Sequence, residues 1–217
     1  MISILPLAFG AALYGLAFGV LAAQVGFPWW GVGLMSTSVH AGTSQIVAVD
    51  QFAAGSGLLG AVFAGAIMNL RYLGITASVS RVLRALPLWR RLFALHVTSD
   101  ENWALAMSRR DGDSDLDPDF LIGSGLVMLV TWTVSTSLGA WLGATLPDLE
   151  KWGLGFAFTA AFIAMARGMV PARLAGLVPW AVTFVLAVAL VRVGLPPAQA
   201  IVVSAIFGLV AGVLVRR

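Results

Sequence analysis

Long apolar runs separated by short polar segments dominate the chain. A transmembrane helix needs about 20 apolar residues to cross the hydrocarbon core of a bilayer. Residues 1–49 contain no Asp, Glu, Lys or Arg, so they are long enough for two crossings with a break at Gly26-Phe27-Pro28. The pattern predicts about seven membrane spans, at about 4–25, 30–49, 57–79, 120–146, 152–170, 174–192 and 197–215.

The middle of the chain is more polar. Many of the arginines lie between residues 81 and 110. Residues 88–108 are therefore predicted to form an amphipathic or partly buried helix rather than a lipid-facing span. Because cytoplasmic loops are enriched in Lys and Arg, the loop 81–118 and the C-terminus are predicted to be cytoplasmic. An odd number of spans then places the N-terminus outside.

An acidic run at residues 111–119 separates the two halves of the chain. It lacks the glycine and glutamate that a calcium loop requires at its sixth and twelfth positions, which are Leu116 and Ile122 here. We interpret it as a solvated loop. Asp117 as N-cap and Pro118 as the first helical residue predict that the fourth span begins here.

Composition excludes several classes of protein. The chain is 59% hydrophobic and 11% charged, whereas soluble domains carry about 25% charged residues. We therefore predict one all-α integral membrane domain over residues 1–217, in the cytoplasmic (inner) membrane of a prokaryote. The absence of Cys excludes disulfides and thiolate metal sites, and we predict no metal and no cofactor. A net charge of +3, carried by Arg beside apolar runs, argues against nucleic acid as a partner.

A weak internal repeat divides the domain into halves of about 1–110 and 120–217. Residues 30–37 align with residues 152–159, which repeat the Trp-Gly-x-Gly start and the final Thr. The same alignment pairs the first predicted span with the fourth and the third with the sixth. A three-span unit repeated in this way enters the membrane with inverted topology, an arrangement common in transporters.

Small residues recur at helix-packing spacing, four residues apart. Such pairs let two membrane helices approach closely. We interpret them as packing signals without chemistry. The pairs are Gly15 and Gly19, Gly139 and Gly143, and Gly208 and Gly212.

Polar residues crowd into the second predicted span, between Ser36 and Gln45. Ala41-Gly42 favours a local break, and an unwound membrane helix offers free backbone groups to a charged substrate. For Ser36 or Ser38 alone, bonding back to the same helix is the simpler interpretation. For the group we predict a substrate-lining role, carried by His40, Gly42, Thr43, Ser44 and Gln45.

Two further polar clusters lie at energetically costly positions. Asn69 and Arg71 lie in the third span, and Asp100 and Glu101 lie between apolar segments. Asn69 is predicted to join the substrate site. Arg71 either snorkels to the interface or faces the interior and pairs with an acid. Asp100 and Glu101 either form a solvated helix face or serve as a charge network that titrates during proton coupling.

These clusters, in this order, resemble the AzlC family of branched-chain amino acid exporters. The matching elements are Ala41-Gly-Thr-Ser-Gln45, Asn69-Leu-Arg71, Ser99-Asp-Glu-Asn-Trp-Ala104 and the stretch 153–162. The sequence departs from the family pattern at Tyr72, where His is usual, and at Ser99 and Trp103. The resemblance implies export of valine, leucine, isoleucine and sometimes methionine, together with a small AzlD-type membrane subunit as partner.

The sequence hypothesis is therefore a secondary transporter, proton-coupled, that exports a branched-chain amino acid. One alternative is an obligate or non-transporting subunit of a membrane complex. A second is an intramembrane hydrolase using His40 and Ser44, which lie four residues apart on one helix face. A channel is a third. Homo-oligomerisation is compatible with each of them.

Overall fold

The computed structural model describes residues 2–109, 116–145, 174–195 and 197–215. Throughout these residues all regular secondary structure is helical, so the chain is an all-α protein. Short 3-10 helices at Ile2–Ile4 and Leu174–Leu177 precede two of the α-helices. The α-helices are α1 (Leu5–Gln24), α2 (Trp29–Val39), α3 (Gly42–Ala53), α4 (Gly57–Met68), α5 (Arg71–Leu83), α6 (Leu88–Val97), α7 (Asp100–Ser108), α8 (Pro118–Thr145), α9 (Val178–Arg192) and α10 (Pro197–Val215).

The chain divides into two compact units, residues 1–162 and 163–217. In the first unit α8 is the central helix and packs against α1, α2, α6 and α7, while α3 packs against α4. In the second unit α9 packs against α10. The predicted span at 152–170 and the second copy of the repeat lie outside the described residues, so the inverted repeat remains a prediction.

Among the described residues, two helices are long and apolar enough to cross a membrane by themselves: α1 with its preceding 3-10 turn, and α8. Both lie where the hydrophobic pattern predicts spans. The start of α8 is capped as predicted, because the Asp117 Oδ1 accepts a hydrogen bond of 2.9 Å from the backbone N–H of Asp119. The apolar helices α9 and α10 coincide with two more predicted spans. The total of seven crossings stays a prediction.

The predicted single span at 57–79 is wrong in one respect. It consists of two helices, α4 and α5, which meet at a bend of 45° and together could form one broken crossing. The predicted helix at 88–108 is likewise two helices, α6 and α7. Ser99 begins α7 with a capping box, in which its side chain and that of Asn102 each bond the other's backbone N–H. Local side-chain bonding therefore ends α6 early.

The backbones of α1 and α8 come into close contact at glycine residues. A Cβ added at Gly19 would overlap the carbonyl oxygen of Thr136, and one added at Gly139 would overlap that of Leu16. A Cβ added at Gly143 would lie 3.0 Å from the Cα of Val20. The predicted role of these small residues in close helix packing is confirmed.

Large apolar side chains cover much of the outer surface of the first unit. Leu59 on α4, for example, is 85% exposed. Water would solvate such a surface poorly, whereas lipid chains would solvate it well. Together with the apolar helices, this surface identifies the chain as a membrane protein. Other strongly exposed apolar residues are Phe9, Leu34, Leu58, Phe63, Leu73 and Trp89.

Candidate functional site

Three helix breaks lie in the first unit, between α2 and α3, between α4 and α5, and between α6 and α7. At the first, His40 adopts a left-handed conformation with φ 45° and Ala41 is not helical, with φ −144° and ψ 89°, so the helix stops and restarts. At the second, Asn69 and Leu70 keep helical dihedrals through the bend. At the third, Thr98 and Ser99 are extended.

Side chains at the second break form hydrogen bonds with residues at the first break. The Ser44 hydroxyl donates to Asn69 Oδ1, and Arg71 Nη1 donates to the Thr43 hydroxyl at 3.3 Å. The Tyr72 hydroxyl donates to the carbonyl of His40 at 3.5 Å. The polar elements that the sequence separates by about 30 residues are therefore neighbours in the fold.

The third break joins the same cluster through two contacts. Arg71 Nη2 pairs with Asp100 Oδ2 at 2.9 Å, so of the two interpretations of Arg71 the paired one is observed. His40 Nδ1 lies 3.3 Å from the carbonyl oxygen of His96. Glu101 is half-buried and forms no ion pair within the described part of the chain. Of the predicted charge network, Arg71 and Asp100 are thus in direct contact.

A cavity of about 170 Å³ lies where the three breaks meet. Each break contributes polar residues to its wall, and two aliphatic side chains complete it. Its volume is below the roughly 300–1,000 Å³ of pockets for drug-sized ligands, which suits a small molecule. The lining residues are Val39, His40, Asn69, Tyr72, Leu95, His96 and Thr98.

Gln45 belongs to a buried network behind the cavity. Its Oε1 accepts from Trp132 Nε1 at 2.8 Å, and its Nε2 donates to the Ser36 hydroxyl at 3.0 Å. Thr136 also donates to Ser36, at 2.8 Å. The expectation that Ser36 bonds to its own helix is therefore wrong, whereas Ser38 does so, donating to the Leu34 carbonyl.

Trp132 on α8 fixes the start of α3. Besides its bond to Gln45, its indole ring lies 2.9 Å from the position of a Cβ added at Gly42. The residue at 42 must therefore be Gly. Trp132 in turn stacks on Phe18 and lies tilted against Tyr14. Sequence reasoning missed Trp132. The available signal was the unusual run of hydroxyl side chains around it in an otherwise apolar helix.

The structure gives His40 and Ser44 separate partners. Ser44 donates to Asn69, and the His40 ring contacts the His96 carbonyl, so no Ser–His hydrogen bond activates a nucleophile here. Within the described ranges, no three His, Cys, Asp or Glu side chains cluster as metal ligands would. The hydrolase alternative therefore has no support from the positions of His40 and Ser44.

These features define the class of protein. It is an all-helical membrane protein in which three interrupted helices enclose a small polar cavity. Residues 6–146 match the family described as AzlC protein. The chain belongs to the AzlC family, which is a membrane transport family.

Relatives in other organisms are membrane proteins too. The chain is 27% identical over 156 residues to an uncharacterized membrane protein of Helicobacter pylori, a match covering 72% of this chain and 68% of that one. It is 28% identical over 169 residues to the inner membrane protein YgaZ of Escherichia coli K12, covering 75% and 66% of the two chains. An uncharacterized membrane protein of Archaeoglobus fulgidus is 29% identical over 157 residues, with 68% and 64% covered. No solved structure matches the chain.

Proposed function

We propose that this chain exports branched-chain amino acids across the cytoplasmic membrane, driven by the proton gradient. The observation that carries the proposal is the cavity at the three helix breaks. Its wall combines aliphatic side chains, Val39 and Leu95, with polar ones, including His40 and Asn69. An amino acid with a branched aliphatic side chain has the same two-part chemistry, an apolar end and a charged end.

The substrate carboxylate is assigned to the amino end of α3. The first four N–H groups of a helix lack partners within it, and no side chain caps α3. The positive end of the helix dipole favours an anion there, as in the broken helices of other transporters. Ala41 and Ser44 at this end are buried, so a bound carboxylate would be shielded from water.

Proton coupling is assigned to Asp100 and Glu101. Asp100 is held by Arg71, which precedes the cavity residue Tyr72, and Glu101 follows Asp100 at the start of α7. A carboxylate that gains a proton loses its attraction to Arg71 and releases that guanidinium to the substrate carboxylate. In this exchange of partners, the binding of one proton to the carboxylate makes the Arg71 guanidinium available to the substrate.

The family resemblance adds a partner. We propose that a small AzlD-type membrane subunit assembles with this chain, and that the loop 81–118 and the C-terminus face the cytoplasm. The substrate site then lies in the larger subunit. A second copy of the chain in the assembly is compatible with this arrangement.

Thermal stabilisation of the purified chain by amino acids tests the proposal. A ligand that binds the folded state raises the melting temperature by mass action. We expect leucine, isoleucine, valine or methionine to raise it selectively, with lysine and glutamate as controls. No shift with any amino acid would contradict a site in this chain. The same screen on the chain co-expressed with its small subunit would then identify an obligate subunit whose site is shared.

A further inference from the structure

We propose that His40 accepts a hydrogen bond from the substrate ammonium through its Nε2 atom, and so makes the cavity specific for amines. This assignment rests on the proposed function and extends it to the other end of the substrate. His40 lines the cavity, and only 5% of its surface is exposed. It is the one residue that forms both the first helix break and the cavity wall.

The contact with His96 determines which ring nitrogen of His40 carries the proton. A carbonyl oxygen can only accept, so the Nδ1 atom 3.3 Å from the His96 carbonyl must be the donor. In a neutral imidazole the Nε2 atom then holds the lone pair and can only accept. No hydrogen bond to Nε2 is formed by the residues that the structure describes.

A neutral ring follows from the surroundings of His40. A buried cation requires a paired anion. Asp100 is already paired with Arg71, and Glu101, whose charge acts on His40, forms no ion pair within the described part of the chain. The charged groups around the ring therefore leave Nε2 available as an acceptor.

The same surroundings favour a cation in the cavity. Glu101 adds negative potential near His40 and Tyr72, both of which line the cavity. The positive charge of Arg71 is already directed at Asp100. A substrate ammonium beside His40 would donate to Nε2 and lie in the field of Glu101. An analogue without a donor would leave a buried acceptor unpaired, which binding sites reject strongly.

Two substitutions separate the roles of the ring nitrogens. His40→Asn retains a donor at the position of Nδ1, tolerates the left-handed backbone, and has no atom at the position of Nε2. His40→Gln places an amide oxygen near the position of Nε2. We measure the binding of leucine and of its 2-oxo acid, which lacks the amine, to the purified wild type and both variants.

We expect H40N to bind leucine at least about tenfold more weakly than the wild type, and H40Q to stay within about threefold. The weak affinity for the 2-oxo acid should not fall in H40N, because that variant has no acceptor at the position of Nε2 for this ligand to leave unpaired. Equal leucine binding by H40N and the wild type would overturn the assignment while leaving the proposed function intact. Absence of leucine binding by the wild type would overturn both.

A spectroscopic measurement covers the case in which H40N fails to fold. The chain has two histidines, so ¹⁵N-histidine labelling gives signals from two imidazole rings only. We expect one ring to show a protonated Nδ1 and an unprotonated Nε2, and the Nε2 signal to shift when leucine is added. A His40 ring protonated at Nε2, or unaffected by leucine, would contradict the assignment.

Discussion

At the scale of single residues, Arg71 connects two helix breaks through one guanidinium group. Its Nη2 pairs with Asp100 and its Nη1 donates to Thr43, while its Nε is buried without a hydrogen-bond partner among the described residues. The side chains of the ion pair remain 33% and 32% exposed. A polar ligand can therefore reach the pair, as the proposed exchange of partners requires.

Asp100→Asn should abolish most leucine efflux without preventing membrane insertion. The substitution removes the negative charge that holds Arg71 and the group that is proposed to carry the proton. We expect a loss on the order of tenfold or more, equivalent to about 1.4 kcal/mol. Efflux of radiolabelled leucine, normalised to the amount of chain in the membrane, measures it.

The matched control is Asp119→Asn. Asp119 pairs with Arg90 at a far more exposed position at the start of α8, and such surface pairs contribute little. We expect wild-type efflux from this variant. Equal losses from the two substitutions would show that the effect of Asp100→Asn does not depend on the site.

Trp132→Phe should lower stability and weaken substrate binding together. The substitution keeps a ring over Gly42 but leaves the buried Oε1 of Gln45 without its donor. An unpaired buried acceptor costs about 1–3 kcal/mol. The melting temperature and the leucine Kd measure the two effects. Trp141→Phe on the same helix, where the ring is 50% exposed, should change neither.

The sequence predicts the residues of the site better than their roles. The cost of placing polar groups in apolar segments singles out His40, Asn69, Arg71 and Asp100, and the fold brings these together. Gln45 is also singled out, but its amide bonds Trp132 and Ser36, so we now assign it to positioning the break. Trp132 could not be found in this way, because a Trp in a membrane helix is ordinary until its N–H has an identified partner.

At the scale of helices, prediction succeeds where hydrophobicity alone decides. The ends of α1, α8 and α10 lie within two residues of the predicted span limits. The bend at Asn69 and the break at Thr98–Ser99 were not predicted, since the residues there are compatible with a continuous helix. Side-chain hydrogen bonds decide instead. Asn69 accepts from Ser44 on α3, and the capping box at Ser99 uses Asn102, whose side chain also donates to the Leu121 carbonyl on α8.

Gly19→Ala should separate α1 from α8. The added methyl group would overlap the carbonyl of Thr136, which cannot move without displacing α8. We expect a loss of about 1–3 kcal/mol, as for other overpacked interfaces, seen as a lower melting temperature in detergent. Gly10→Ala on the same helix meets no atom within 4 Å and should have no such effect. Equal melting temperatures would contradict the close backbone contact.

At the scale of the whole molecule, the absence of Cys makes the predicted orientation directly testable. Single cysteines introduced by Arg81→Cys, at the end of α5, and by Lys151→Cys are predicted to lie on opposite sides of the membrane. We expect a membrane-impermeant maleimide to label the cysteine at position 151 in intact cells, and the one at position 81 only after the cells are opened. The reverse pattern would invert the orientation.

The whole-molecule class was predictable for a simple reason. A surface that is too apolar for water is visible in composition, whereas the number of crossings depends on where each helix lies in the bilayer. Broken helices make the number of crossings harder to predict, because two short segments such as α4 and α5 can form one span together. Counting apolar runs therefore gives the class with less ambiguity than it gives the topology.

The left-handed backbone of His40 makes the residue that is proposed to bind the substrate also one that lowers the stability of the fold. At φ 45° a residue with a Cβ is less stable than glycine by about 1–2 kcal/mol. Among the described residues, every other position with a positive φ is a glycine. Natural proteins often retain such local costs where activity needs them. A laboratory selection for heat resistance alone should therefore favour glycine or asparagine at position 40, and, on the proposed role of His40, the selected variants would be more stable but would bind the substrate more weakly.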